Sequence, residues 1–500
     1  MPAITRVRPL PTPVWPIVGH RDAPSFDLSS GSVPIVPGSP PMGGRWSFRG
    51  DRPCALLTGK FDGSDCHITL TFWRAPDGQV PVRPVTRTWT DDPFEALRQL
   101  QTAYQADPPA MDDPPPFCGG LVGYFGYGTA HACEQLPGRV GDVLALPDLA
   151  FLVVDDLVAH DDITGSSWLI AAGRGQSAAA AHLDAQWRLD ALEHELAMSR
   201  SADMASADSA SREIRQTSLD GVTAQFTREE YCAAVEHCRE AILAGRIFEV
   251  CLTQQMSMQF AGSPWDLYRT LGEINPAPYA ACLDLPGFAV VSASPERFLK
   301  LNGDRVAESR PIKGTAPRGT DPEADAALRD GLASSSKDRA ENVMIVDLVR
   351  NDLGRVCETG SVKVPELCVL ESYPTVHQLV STIRGRLAPE RDALDLVRAC
   401  FPGGSMTGAP KVEAMKLIDE VEHTTRGVYA GSLGYLDRRG TMDLAIVIRT
   451  LLCKDGRAWL GTGGAITADS DPGAEYDETL AKARALIQAV RSSRTVRDGR

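Results

Sequence analysis

The chain has 500 residues, 43% of them hydrophobic, enough for a large core or for two or three domains. A formal net charge of -14 argues against a nucleic-acid partner, so any anionic ligand must be met by local positive charge or by a metal. No stretch reaches the roughly 18 consecutive apolar residues of a membrane span, and the proline-broken N-terminus lacks the apolar segment of a signal peptide. A soluble, cytoplasmic protein without a membrane partner is the expectation. Twelve cysteines run from Cys54 to Cys453 with no C-x-x-C pair, and they read as small buried residues rather than zinc ligands or disulfides.

In chain order, residues 1 to about 46 are rich in Pro, Gly and Ser and read as an irregular or edge-pairing lead. Alternating runs such as H-I-T-L-T-F-W predict strands between Cys54 and Trp73, and G-G-L-V-G-Y-F-G-Y adds strand character at 119–127. Strands are predicted at Leu149 to Val154 and Ser167 to Ala172, then a helix over 176–198. Between Met198 and Arg212 the residues are almost all Ser, Ala, Asp, Met and Arg, with little to bury. This divides an N-terminal subdomain (1–200) from a catalytic region (223–492) through a mobile connection (201–222), with a tail at 493–500. Beyond it, helices are predicted at Thr227 to Ala244 and Pro264 to Leu271, and strands at Phe248 to Met258, Ala280 to Leu285, Ala289 to Ser292 and Arg297 to Leu301. Strands interleaved irregularly with helices argue for an α+β class.

Three features carry chemistry. Lys313, in S-R-P-I-K-G-T-A-P-R-G, is one ammonium in a proline-fenced segment; it suits either a salt bridge to a core carboxylate or a reactive amine. On the helix predicted from Ser334 to Leu353, Asp338 and Glu341 are three apart, and Glu341 lies on the line of Ile345 and Leu348. Asp471 and Pro472 open another helix on which Glu475 and Glu478 repeat the spacing. Acids in a first turn also suit the helix dipole alone. Two converging pairs would instead repel unless a hard cation such as Mg²⁺ lay between them.

The ordered run of S-A-S-P-E-R-F at 292–298, P-I-K-G-T at 311–315, E-N-V-M-I-V-D-L-V-R-N-D-L-G-R at 341–355, F-P-G-G-S-M-T-G-A-P-K at 401–411 and D-S-D-P-G-A-E-Y-D-E-T at 469–479 resembles the chorismate-utilising enzyme family. The resemblance spans about residues 225–490. It implies two large antiparallel sheets packed face to face with helices outside, and Mg²⁺ as cofactor. Lys313 is similar to the branch that aminates chorismate at C4 for 4-aminobenzoate and folate synthesis, whereas anthranilate synthases usually carry alanine there. Isochorismate and salicylate synthases carry lysine where this chain has Glu249.

By the same resemblance, Lys313 adds to ring carbon C2, Glu296 protonates the departing C4 oxygen, and His377 sits near it. The amine must be neutral to attack, which desolvation and nearby cations would favour. Arg449, helped by Tyr429, is expected to clamp the enolpyruvyl carboxylate, and Thr407 to face the ring. Lys482 and the backbone N–H groups of Gly463, Gly464 and Ala465 are further anion contacts. Glu341 and Glu478 are expected to ligate Mg²⁺ directly, with Asp338 and Glu475 supporting its waters. The chain lacks the G-x-C-x-G-x-Q segment of the usual glutamine amidotransferase, so ammonia is expected from solution or from a separate glutaminase subunit. The alternatives are C2 amination to anthranilate and chorismate binding without turnover.

Overall fold

The computed structural model describes residues 2–10, 24–32, 44–136, 141–202, 219–373 and 376–495. Within them the chain forms two 12-stranded sheets whose neighbouring strands are antiparallel throughout. The first sheet runs from Ala3–Leu10 at one edge to the strands Arg457–Ile466, Glu249–Gln259 and Val222–Ala224 at the other. The second runs from Ile312–Pro317 and Val376–Arg386 to the hairpin ending at Val85–Thr90.

The sheets meet through alternating apolar side chains, as period-two strands require when one face is covered by a second sheet. Phe48 of the first sheet packs edge-on against Tyr435 of the second, with ring centroids 5.5 Å apart. Around them lie Leu28, Ala159 and Leu283 from one side and Val122, Tyr124 and Leu152 from the other. Helices bury the outer faces. Leu267 and Leu271 of Pro264–Ile274 join Leu486 and Val490 of Pro472–Thr495 over the first sheet. Ile345, Val349 and Leu353 of Ser336–Gly354 join Leu396 and Val397 over the second. No helix among the described residues is long and apolar enough to cross a membrane.

One expectation about the N-terminal part needs correcting. Residues 1–46, read as an irregular or edge-pairing lead, do supply the edge strand Ala3–Leu10, but they also supply the strand Ser25–Ser32 and begin Gly44–Gly50. Ser25–Ser32 is an interior strand, between Gly44–Gly50 and Tyr279–Leu285. Its buried Asp27 is tolerated there because it is paired: the Arg49 guanidinium donates to it from Nε at 3.0 Å. The helix predicted over 176–198 runs from Ala178 to Ala202, and the C-terminal helix reaches Thr495 inside the anticipated tail. Most of the anticipated connection at 201–222, namely 203–218, lies outside the described residues. In each sheet the strands from before that segment form one block and those from after it another, and the blocks join at a single strand pair: Ser25–Ser32 with Tyr279–Leu285 in the first sheet and Gly120–Phe125 with Ser432–Asp437 in the second.

All twelve cysteines are free thiols, and all but Cys133 and Cys232 are buried. Ser335 caps the helix Ser336–Gly354 through the N–H of Asp338, and Asp471 caps the C-terminal helix through the N–H of Ala474 at 2.8 Å. These caps fix the first turns that carry both acidic pairs.

Candidate active site

A cavity of about 630 Å³ opens where the edge strands of the two sheets approach one another beneath the first turns of both capped helices. That volume suits a small polar ring compound. Its walls include Lys313 from Ile312–Pro317, Cys251 from Glu249–Gln259, Gln378 from Val376–Arg386 and Gly461 to Ala465 from Arg457–Ile466.

Lys313 reaches the cavity with its side chain 12% exposed, and its Nζ donates to Glu249 Oε1 at 2.8 Å. Burial alone lowers the pKa of an amine. Here the charge and hydrogen bond of Glu249, with smaller contributions from Cys251 and Glu341, reverse that and hold the ammonium well above the usual lysine range. The expectation that the surroundings favour the neutral amine is therefore corrected: the nearest group is an anion, and it retains the proton.

Glu296, between the strands Phe288–Ser294 and Arg297–Leu301, is 6% exposed. Burial pushes its carboxyl up to about 7, against the lowering effects of the Ser405 hydroxyl, the Lys313 charge and the Ile312 N–H. Ser405 donates to Glu296 Oε1 at 2.9 Å. A carboxyl in that range is protonated often enough near neutrality to donate a proton.

All four predicted acids line the cavity. Burial raises Glu341, and the charges of Glu249 and Asp338 add to it. Burial also raises Glu475, with Glu478 repelling it. Glu478 is half-exposed; burial pushes it up, but Lys482, whose Nζ lies 2.5 Å from its Oε1, brings it below the usual range. A Cβ on Gly464 would stand 3.0 Å from Glu475 Oε2 and 3.4 Å from Glu478 Oε1, so the absence of a side chain there lets both carboxylates close on the strand. Gly314, at φ +87°, likewise lies where a Cβ would press on Asp338. Among the described residues no three His, Cys, Asp or Glu side chains form a ready metal cage. Two pairs of hard oxygen donors lining one cavity nonetheless fit Mg²⁺ in kind, since it takes one or two carboxylates and completes its shell with water and substrate oxygens.

Arg449, at φ 52°, turns into the cavity immediately before the strand Thr450–Lys454 and gives one N–H to the carbonyl of Lys482 at 2.9 Å. Burial lowers its pKa, against the Tyr429 and Glu478 charges, and no carboxylate among the described residues pairs with it. Tyr429 packs its ring against the position where Gly461 would carry a Cβ, 2.3 Å away. The strand Thr450–Lys454 covers Arg457–Ile466 only as far as Leu460. Gly463, Gly464 and Ala465 pair with Thr253, Leu252 and Cys251 on one side, and their other edge faces the cavity. The Lys482 ammonium donates to the Gly463 carbonyl at 2.7 Å.

Two predicted residues lie elsewhere. Val376 and Gln378 line the cavity, so strand alternation turns His377 away. Its ring, 1% exposed, meets the Ser372 hydroxyl at 2.8 Å and the Asp325 carboxylate at 3.1 Å. Thr407 is fully buried, its hydroxyl turned back toward the carbonyls of Gly403 and Gly404 at 3.4 Å each. Conversely, the sequence reading passed over Ser405 and the pairing of Glu249 with Lys313. Ser405 was within reach, since it stands in the F-P-G-G-S-M-T-G run; the Glu249 contact spans 64 positions and carries no local signal.

Residues 62–488 match the model of the family described as chorismate binding enzyme. The chain is 44% identical over 387 residues to an aminodeoxychorismate synthase of Streptomyces pristinaespiralis, covering 77% of this chain and 52% of that protein, about half its length. It is 42% identical over 417 residues to anthranilate synthase component 1 of Streptomyces coelicolor, covering 82% and 79% respectively. The solved anthranilate synthase component I of Streptococcus pneumoniae TIGR4 superposes with a TM-score of 0.70 at 29% identity, covering 91% of this chain and 95% of that one. With its two sheets, its cavity and a match over most of its length, the chain belongs to the chorismate binding enzyme family, close to the anthranilate synthase and aminodeoxychorismate synthase component I proteins.

Proposed function

We propose that the protein aminates chorismate at C4, using ammonia and Mg²⁺, to give 4-amino-4-deoxychorismate for 4-aminobenzoate and folate synthesis. The observation that carries this reading is the Lys313 amine on the wall of the cavity that the acidic pairs also line, near a carboxyl with a raised pKa. The aminodeoxychorismate synthase named above supports it.

In this reading the Lys313 nitrogen bonds to C2, the ring double bond shifts, and the C4 oxygen leaves as water with the Glu296 proton. Ammonia then bonds to C4 and expels the lysine. One difficult displacement becomes two easier ones. Arg449 offers its guanidinium fork to the enolpyruvyl carboxylate, beside Tyr429. Lys482 and the open edge of Gly463 to Ala465 receive anionic oxygens. Glu341 and Glu478 would hold Mg²⁺, with Asp338 and Glu475 supporting its waters; when bound, the ion neutralises the ring carboxylate. Ammonia would come from a separate glutamine amidotransferase subunit.

A second reading is C2 amination to anthranilate, favoured by the relatives and the solved structure that carry that name. Incubation with chorismate, ammonium and Mg²⁺, followed by product chromatography, separates the two. Aminodeoxychorismate is expected, lost in K313A; anthranilate as the product would reject C4 amination.

A further inference from the structure

Resting on the lysine chemistry above, a further role falls to Glu249. It begins the strand Glu249–Gln259 and is 1% exposed. Its backbone is pinned: Glu249 pairs with Ala409, and the Phe248 N–H donates to the Ala409 carbonyl at 2.7 Å. The bare Gly408 approaches so closely that a Cβ would lie 2.1 Å from the Glu249 carbonyl oxygen. The carboxylate it projects accepts from Lys313 with Oε1, while its buried Oε2 has no hydrogen-bond partner among the described residues.

A buried carboxylate with one unanswered oxygen is costly as an anion. It is poorly built as a mere anchor for a cation. It is better built to become neutral: moving one proton along the bond from Nζ to Oε1 removes both charges together. A substrate that displaces water from the cavity lowers the local dielectric and favours that neutral pair. Glu341 on its helix, Cys251 on the same strand, Glu296 in its loop and Glu478 on the C-terminal helix also bear on Lys313. Among the described residues only Glu249 is within ion-pair distance of it.

We propose that Glu249 is the proton-holding partner of Lys313, taking the ammonium proton when the amine adds to the ring and returning it when the amine leaves. The steps balance. Nζ gives a proton to Glu249, and the neutral amine bonds to C2 as the C4–O bond breaks. Glu296 supplies the proton that makes water, leaving a secondary ammonium on C2. Ammonia bonds to C4, the C2–N bond breaks with its electron pair on nitrogen, and Glu249 gives its proton back. Glu296 recovers its own from the new C4 ammonium. Glu249 acts through Lys313 and is a positioning residue in that sense.

The test is single-turnover adduct formation, read by intact mass with chorismate and Mg²⁺ but no ammonia, in the parent, E249Q and E249D. E249Q keeps the shape but holds no proton, so its lysine must shed one to solvent. Its adduct rate at neutral pH should fall on the order of 100-fold, with KM for chorismate within about threefold. The ratio of E249Q to parent rates, in which the shared Glu296 limb cancels, should climb by up to about tenfold per pH unit. E249D should recover much of the rate with a profile parallel to the parent, and it decides the matter alone if E249Q does not fold. An E249Q rate within about threefold of the parent, a pH-invariant ratio, a loss confined to KM, or an E249D profile that diverges from the parent would overturn the inference. A parent enzyme that aminates C4 without any adduct overturns the lysine chemistry itself, and this role with it.

Discussion

Ser405 donates its hydroxyl to Glu296 Oε1 at 2.9 Å, inside a pocket that otherwise drives the Glu296 carboxyl upward. The hydrogen bond works against the burial, so the acid settles at about 7 rather than higher. kcat/KM for chorismate should therefore fall as pH rises through about 7, because the protonated form is the donor. Removing the hydroxyl in S405A should move that limb to higher pH. A limb that stays in place or moves down would show that Glu296 is not the group being titrated.

The same residue links activity to stability in opposite senses. Its folded pKa lies above the ordinary 4.5, so the folded state binds the extra proton and stability is lost as pH rises from about 4.5 to 7. E296Q should be inactive yet more stable than the parent at pH 8, by roughly 1–3 kcal/mol. Urea denaturation at pH 5 and pH 8 checks this; equal stabilities at both values would refute it.

Metal affinity should follow the carboxylates rather than overall charge. E341Q and E478Q should each weaken Mg²⁺ or Mn²⁺ binding, measured by calorimetry or manganese resonance without turnover, by at least about tenfold. G464A should weaken it too, because its methyl would stand 3.0 Å from Glu475 Oε2 and 3.4 Å from Glu478 Oε1. Unchanged affinity in all three would place the ion elsewhere.

Arg449 has no carboxylate partner among the described residues, and its backbone is held at φ 52°. Losing a charge-assisted pair costs about 1.5–3 kcal/mol, so R449A should raise KM for chorismate about 10- to 150-fold. R449K should recover only part of this, since the fork geometry is lost. A KM unaffected in R449A would remove the residue from substrate binding.

His377 should behave as a structural residue. It joins Ser372 to Asp325, so H377A should lower the thermal midpoint while leaving KM for chorismate within about threefold. A native midpoint with a large loss confined to kcat would return it to the chemistry.

These cases separate what local sequence can encode from what it cannot. Asp338 with Glu341, and Glu475 with Glu478, were legible because helical spacing and an N-cap are short-range signals, and both pairs reach the cavity. His377 was misplaced because strand alternation fixes parity but not which face meets the cavity; Val376 and Gln378 took that side. Ser25–Ser32 escaped notice because its place depends on distant partners, Arg49 among them, rather than on an apolar repeat. The charge state of Lys313 was misread for the same reason, since Glu249 lies on another strand.

The completion of both sheets by one block of strands from each half has a consequence for assembly of the chain. Separating it between Ala202 and Leu219 would leave each fragment with one raw interior edge in each sheet, where Ser25–Ser32 meets Tyr279–Leu285 and where Gly120–Phe125 meets Ser432–Asp437. Neither fragment should be soluble when made by itself. Produced together, they should recover a single complex that unfolds in one step.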